Sequence, residues 1–311
     1  MHINSPKPLI MSLYRLYAFY LRRLIIVSLV LFSPVIFADS DPEPAQISLL
    51  IEERRLLQLR HYSATLDPAE IIEQGRYGID REDAEVLLLH RALSLGGCPG
   101  PYRYVRMKSH DHARTSLLIE KAHASVSDTA WWPNGDDMSG RYLRQSSAIT
   151  ESLEVGIYSS KAGAQMKIDK LVDFKTLTAV VSPLWIDDIK LLKSLNLQHI
   201  YYQNHWSSIV KMIKGGRSNF MLAPFQSTAS MALERGNIKL YPVAGIKLNM
   251  PRQRRWLFSL KNAAGGRAWN CVERGIIQLK TAGEIDAAYR SAGVINAKVK
   301  DWKLLSPQGG R

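Results

Sequence analysis

Two arginines in the stretch GRYLRQSSAI, Arg141 and Arg144, follow a glycine turn where a strand ends. A guanidinium placed there can grip a carboxylate with two parallel hydrogen bonds, while its bland counterpart is a hydrated arginine on a loop. Trp131 and Trp132 close the predicted strand ASVSDTAWW. Strand side chains alternate, so one indole can stack on a flat or cationic ligand while its neighbour turns away, and core packing competes with that role. Gln226, Ser227 and Thr228 follow the apolar run NFMLAPF directly and are expected to open a helix, whose start attracts anions; simple capping is the other reading. His110, Asp111 and His112 are neighbours, and adjacent positions seldom converge on one metal ion, so a helix cap is the better use of Asp111. His199 and His205 have no partner at helical spacing. No serine, cysteine or histidine set pairs a nucleophile with a base, and GGCPG and AAGGR read as turns. The expectation is binding without catalysis, cofactor or metal.

The elements that must position these residues are clearest between residues 177 and 224. LTAVVS is a β-branched strand run, and Ser182 is expected to cap a helix whose first position is Pro183. Trp185, Ile189, Leu192 and Leu195 recur at helical spacing, with Asp187 and Asp188 in the first turn, where the helix dipole favours anions. HIYYQ resumes the sheet. Asn204 can cap a second helix with Trp206, Ile209, Met212 and Ile213 on one face, Gly215 and Gly216 end it, and NFMLAPF is the next strand. Strands alternating with helices predict an α/β layer of parallel strands and right-handed crossovers, with a small ligand at its open end.

The N-terminus has Arg22 and Arg23, an apolar run over 24–37, and Ala38 before the acidic stretch DSDPEP. That layout predicts a cleaved signal peptide over 1–38, starting at Met1 or Met11, and export to the periplasm; about fourteen apolar residues are too few for a comfortable membrane span. The whole chain has 41 basic and 28 acidic residues. The leader contributes Lys7, Arg15, Arg22 and Arg23 and no acid, which leaves the exported part at +9. Such a charge speeds encounters with anionic solutes or surfaces and does not specify a fold. Nucleic acid is an unsuitable partner outside the cytoplasm, and the cluster Arg252, Arg254 and Arg255 is expected on a solvated face. Cys98 and Cys271 are distant in sequence; an oxidising compartment allows them to form a disulfide, and two separate buried thiols are the alternative.

Upstream, QISLLIEE and YRYVRM read as strands, residues 83–95 as a helix, and Asp111 as the cap of a helix reaching Ala124. Downstream, IKLYPVAGIKLNM and RRWLFSL read as strands, Trp269, Val272, Ile276 and Leu279 mark a helix stopped near Gly283, and EIDAAYRSAG is a short helix. In this order of elements the chain resembles the periplasmic solute-binding proteins of ABC transporters, family 3, the amino-acid-binding type. The resemblance is carried by LLIEKAHASVSDTAWW, SSAITESLEVGIYSS, SSIVKMIKGGRSNFMLAP and RGIIQLKTAGEIDAAYRSAG, and it covers most of the chain beyond the leader.

The resemblance implies a type II periplasmic-binding fold of class α/β. Two lobes, each a mainly parallel sheet flanked by helices, are joined by two hinge crossings near 153–159 and 238–245, with ligand in the cleft between them. Lobe 1 would comprise 39–153 and 241–311, and lobe 2 would comprise 154–240. It also implies a carboxylate-binding arginine before the first crossing; the family's aromatic, serine and proline after it are incomplete here, so Arg141 or Arg144 fills the place. The acid that lobe 2 usually supplies to an amino group is replaced by the neutral QSTAS. Tyr158 and Ser159 would sit on the crossing, within reach of ligand, and Trp185 at the first lobe 2 helix, where core packing competes. The implied protein is a monomer that captures a small polar, amino-acid-like or carboxylate-bearing solute for a membrane permease. A sensory module signalling to a receptor is the alternative, and an enzyme using Asp128, Asp136 or Asp137 is a weaker one.

Overall fold

Residues 45–57, 80–108, 112–130, 142–235, 238–250 and 253–306 are described by a computed structural model. The first sheet is built around β1 (Ser48–Glu52), whose Leu49, Leu50 and Ile51 are fully buried, as expected of a central parallel strand covered on both faces. The carboxylate of Asp80 accepts the amide hydrogen of Asp83 and so caps α1 (Arg81–Leu95). Next come β2 (Arg103–Met107), α2 (His112–Glu120), β3 (Val126–Ser127) and β4 (Leu143–Gln145). Both β2 and β3 run parallel to β1.

A second sheet is centred on β5 (Leu153–Ser159), and through it the chain leaves the first layer and later returns. Between these passages lie β6 (Thr178–Val181), α3 (Ile186–Ser194), β7 (His199–Tyr202), α4 (Trp206–Lys214) and β8 (Met221–Pro224). β6 pairs parallel with β7 and bridges to Phe220, which leads into β8, so the strand and helix alternation read from the sequence is present. Isoleucines 209 and 213 bury one face of α4 against Tyr158, Val180 and Met221. The return runs through β9 (Leu233–Arg235), β10 (Ile238–Pro242) and β11 (Ile246–Met250). β10 pairs antiparallel with the end of β5 at Ser159, and β11 with its beginning at Val155.

The chain then contributes β12 (Leu257–Ser259), which inserts antiparallel between β3 and β4 and completes the first sheet. Helix α5 (Ala263–Ala282) lies against α1, α6 (Glu284–Ser291) follows, and β13 (Lys303–Leu305) pairs with β11. The two long helices touch backbone to backbone: a Cβ on Gly275 would stand 2.0 Å from the Ala92 carbonyl oxygen. Cys98 and Cys271 form a disulfide at this contact.

Four local expectations are corrected. Helix α3 starts at Ile186 and not at Pro183, because the Ser182 carbonyl accepts the Trp185 amide at 3.0 Å and makes 182–185 a turn. Gln226 to Thr228 open no helix; the chain turns, with the Met231 amide on the Thr228 carbonyl, and enters β9. The run from Ile238 to Met250 is two strands separated by a turn at Gly245. Helix α2 ends at Glu120 and not at Ala124, with Ala122 at a φ of 59°. Asp111, its expected cap, lies outside the described residues.

Candidate functional site

A cavity of about 500 Å³ opens between the two layers. One wall is the start of α1 with Thr129, Ala130 and Arg254; the other is residues 184–188, Trp206, β8 and the turn after it.

The first wall is fixed by a buried ionic network. Glu85, fully buried on α1, receives Arg254 Nε at 2.5 Å and Nη2 at 2.7 Å, the Tyr289 hydroxyl at 3.2 Å and the Ala130 amide at 3.1 Å. Arg254 also donates to the Ala130 carbonyl, so the backbone N–H and C=O of cavity-lining Ala130 are held by one carboxylate and its guanidinium. Burial beside Glu85 drives the Tyr289 hydroxyl well above its ordinary pKa. Arg254 is only 3% exposed, which corrects the solvated face expected for it. At the start of α1, the buried Arg55 donates to Asp83 at 2.6 Å and Asp80 at 3.0 Å and also pairs with Glu82. Burial and the neighbouring Asp80 push the Asp83 carboxyl up to about 6, against the pull of Arg55.

The second wall is aromatic and acidic. The rings of Trp185 and Trp206 stand 6.4 Å apart at 49°, and Asp187 and Asp188 occupy the first turn of α3 beside them. Burial pushes the Asp188 carboxyl up to about 7; Arg81, from the opposite wall, opposes this shift and Asp187 adds to it.

Of the residues singled out from sequence, Trp185, Gln226 and Thr228 come together on this cavity. Gln226 donates through Nε2 to the Pro224 carbonyl at 2.8 Å. Tyr158 lies in the core instead, fully buried, with its hydroxyl on the Met231 carbonyl at 2.9 Å. Arg144 lies away from the cavity lining, its guanidinium 3.5 Å above the Trp269 ring. Trp131, Trp132 and Arg141 lie outside the described residues, as do Asp136, Asp137 and His110. Asp128 is buried and accepts the Glu52 amide at 3.3 Å. Among the described residues no group of three His, Cys, Asp or Glu is placed to hold a metal ion, and no helix is long and apolar enough to cross a membrane.

Trp206, Arg81 and Glu85 were not singled out from sequence. Trp206 read as one more apolar position on α4, and Glu85 finds its arginine 169 positions away.

The turn after β8 is supported from the C-terminal segment. Asn296 Nδ2 donates to the Gln226 carbonyl at 3.0 Å and Lys298 Nζ to the Ala229 carbonyl at 2.8 Å. Gly293 approaches so closely, at φ 77°, that a Cβ there would stand 2.2 Å from the Ser227 nitrogen. Gly293→Ala is expected to cost about 2 kcal/mol, because a non-glycine residue is strained in this left-handed region and the turn must also yield. A denaturant melt reads the loss directly; an unchanged midpoint would show that the turn is not clamped here.

No family model matches the sequence, and no curated protein matches it. Among solved structures, the GluR0 ligand-binding core in complex with L-glutamate superposes with a TM-score of 0.51 at 7% identity, over 81% of this chain and 100% of that one. The Bordetella pertussis BvgS VFT2 domain, as a double mutant, gives 0.49 at 11% identity over 78% and 92%. The Lactococcus lactis GlnP substrate-binding domain 2, in its open conformation, gives 0.48 at 11% over 81% and 96%. With the GluR0 core matched along its whole length, this chain has the two-lobed type II periplasmic-binding fold, the fold of the family 3 solute-binding proteins that its sequence resembles.

Proposed function

We propose that this protein is an exported solute-binding protein, a monomer that captures a small polar, amino-acid-like ligand between two lobes and presents it to a membrane permease of the ABC type. The lobes are residues 39–153 with 241–311, and residues 154–240; residues 1–38 are the export signal. The observation that carries the reading is the cavity, about 500 Å³, with one wall from each layer and paired strands passing between them. That volume suits a small metabolite, and walls on separate layers allow hinge closure around it. Polar side chains set among indoles and aliphatic groups are the usual lining of a ligand site. Binding without catalysis fits the first wall, where Glu85 and Arg254 are committed to each other and to the backbone.

Thermal-shift screening of the purified protein against amino acids, organic acids, polyamines and short peptides tests this. A bound solute at a hundredfold its Kd adds about 2.7 kcal/mol to the native state, so a true ligand raises Tm visibly. Small-angle scattering with that ligand is expected to show compaction. A screen without a hit, or a tight ligand that leaves the scattering profile unchanged, would overturn the reading.

A further inference from the structure

The charges on the cavity lining are engaged within the protein. On the first wall Arg54 pairs with Asp80 at 3.7 Å, Arg81 with Glu82 at 2.9 Å and Arg254 with Glu85 at 2.5 Å, and Asp83 receives Arg55 at 2.6 Å. On the second, Glu234 holds Lys239 at 2.8 Å, the buried Asp187 is engaged inside the protein, and Asp188 meets the Arg81 charge across the cavity. A ligand charge of either sign would have to displace a partner already in place, and a buried charge that loses its partner is costly. Selection among solutes falls to the uncharged part of the lining.

That part is concentrated where α3 begins. The turn over 182–185 and the first residue of α3 place Leu184, Trp185 and Ile186 in succession on the lining, with Leu184 40% and Ile186 37% exposed. Trp206, at the start of α4, joins them: its ring centre lies 6.4 Å from that of Trp185 and its plane is inclined by 49°. Two flat surfaces at such an angle make a corner that a third planar ring fills with its face on one indole and its edge toward the other, the two arrangements that aromatic pairs favour. A branched aliphatic group meets the same surfaces only through its methyls. Thr129, Gln226, Ser227 and Thr228 supply hydrogen-bonding groups elsewhere on the lining.

We propose that the corner formed by Leu184, Trp185, Ile186 and Trp206 is the specificity subsite of the cavity and takes an uncharged planar ring, the aromatic side chain of the captured solute. The proposal rests on the solute-binding reading above and names its substrate class. Among solutes that share one polar head, those with an aromatic side chain bind best, and those whose side chain is acidic, basic or aliphatic bind less well.

Calorimetric titration with five amino acids that differ only in side chain tests it: L-tryptophan and L-phenylalanine against L-leucine, L-glutamate and L-lysine. The two aromatic ligands are expected to bind at least tenfold more tightly than the other three. Trp185→Ala should weaken tryptophan at least tenfold and shrink its advantage over leucine, and Trp185→Phe, which keeps a ring, should restore part of both; circular dichroism and a thermal melt establish that each variant is folded. Leucine, glutamate or lysine binding as tightly as the aromatic pair, or a folded Trp185→Ala that binds tryptophan unchanged, would overturn the ring subsite while the solute-binding reading stands. If all five fail, the wider solute screen decides: a hit that carries a planar ring and weakens in Trp185→Ala supports the subsite, a hit without a ring overturns it alone, and a screen without a hit overturns both.

Discussion

Replacing Arg254 with methionine is expected to lower the stability of the protein by about 3–5 kcal/mol, because it removes one member of a buried ion pair and leaves the other. Glu85 is fully buried and takes two hydrogen bonds from Arg254, so the variant leaves a buried carboxylate to the Tyr289 hydroxyl, the Ala130 amide and the more distant Arg81 guanidinium at 3.9 Å. Denaturant unfolding measures the loss as a lower midpoint. The paired change of Glu85 to leucine with Arg254 to methionine separates charge from packing: apolar groups of similar volume often replace a buried pair at little cost, so the double variant should recover most of the stability. A double variant as unstable as the single would mean that geometry at Ala130, and not the stranded charge, sets the penalty. Either way the effect reaches the cavity, since Ala130 and Thr129 line it and Arg254, together with Glu85, holds both backbone polar groups of Ala130.

Removing the disulfide by serine at both Cys98 and Cys271 is expected to cost about 5 kcal/mol on the chain-entropy relation for a loop of this size. The cysteines are 173 positions apart, so the bond closes a loop containing most of the structure. The loss should appear equally under reducing conditions in the unsubstituted protein, and the substituted protein should be insensitive to reductant. Wild-type and serine variants with coincident unfolding curves would show that the α1 and α5 contact is maintained by packing alone. That contact has its own support: Arg274 Nε donates to the Gly96 carbonyl at 3.0 Å, and Gly275 permits the backbone approach at Ala92.

The parts legible in sequence were those that local chemistry decides. LTAVVS, HIYYQ and NFMLAPF announce β6, β7 and β8 because β-branched and aromatic residues favour a pleated, buried surface, and the helical spacings between them give α3 and α4. Element boundaries were less legible. Ser182 and Pro183 suit a helix start as well as a turn, and the 3.0 Å bond from the Trp185 amide to the Ser182 carbonyl decides for the turn. QSTAS after β8 has helix-cap chemistry too, but Asn296, Lys298 and Gly293 arrive from seventy positions away and hold the turn instead.

For the cavity, Trp185, Gln226 and Thr228 were legible because they follow strand ends, where such folds gather their ligand contacts. Asp187 and Asp188 were read for the helix dipole alone, and nothing local shows that the first turn of α3 also faces a wall supplied by α1. Glu85 and Arg254 are invisible for the same reason: each is an ordinary charged residue until the other arrives.

The insertion of β12 between β3 and β4 imposes an order on biosynthesis. A nascent polypeptide that has reached only residue 250 carries every strand of the second sheet except β13, yet its first sheet lacks the strand that joins β3 to β4, and α1 lacks its cover. The earliest-made segments must therefore wait, with apolar edges open, for some of the last-made ones. A chain assembled this way stays unfinished for nearly the whole of translation.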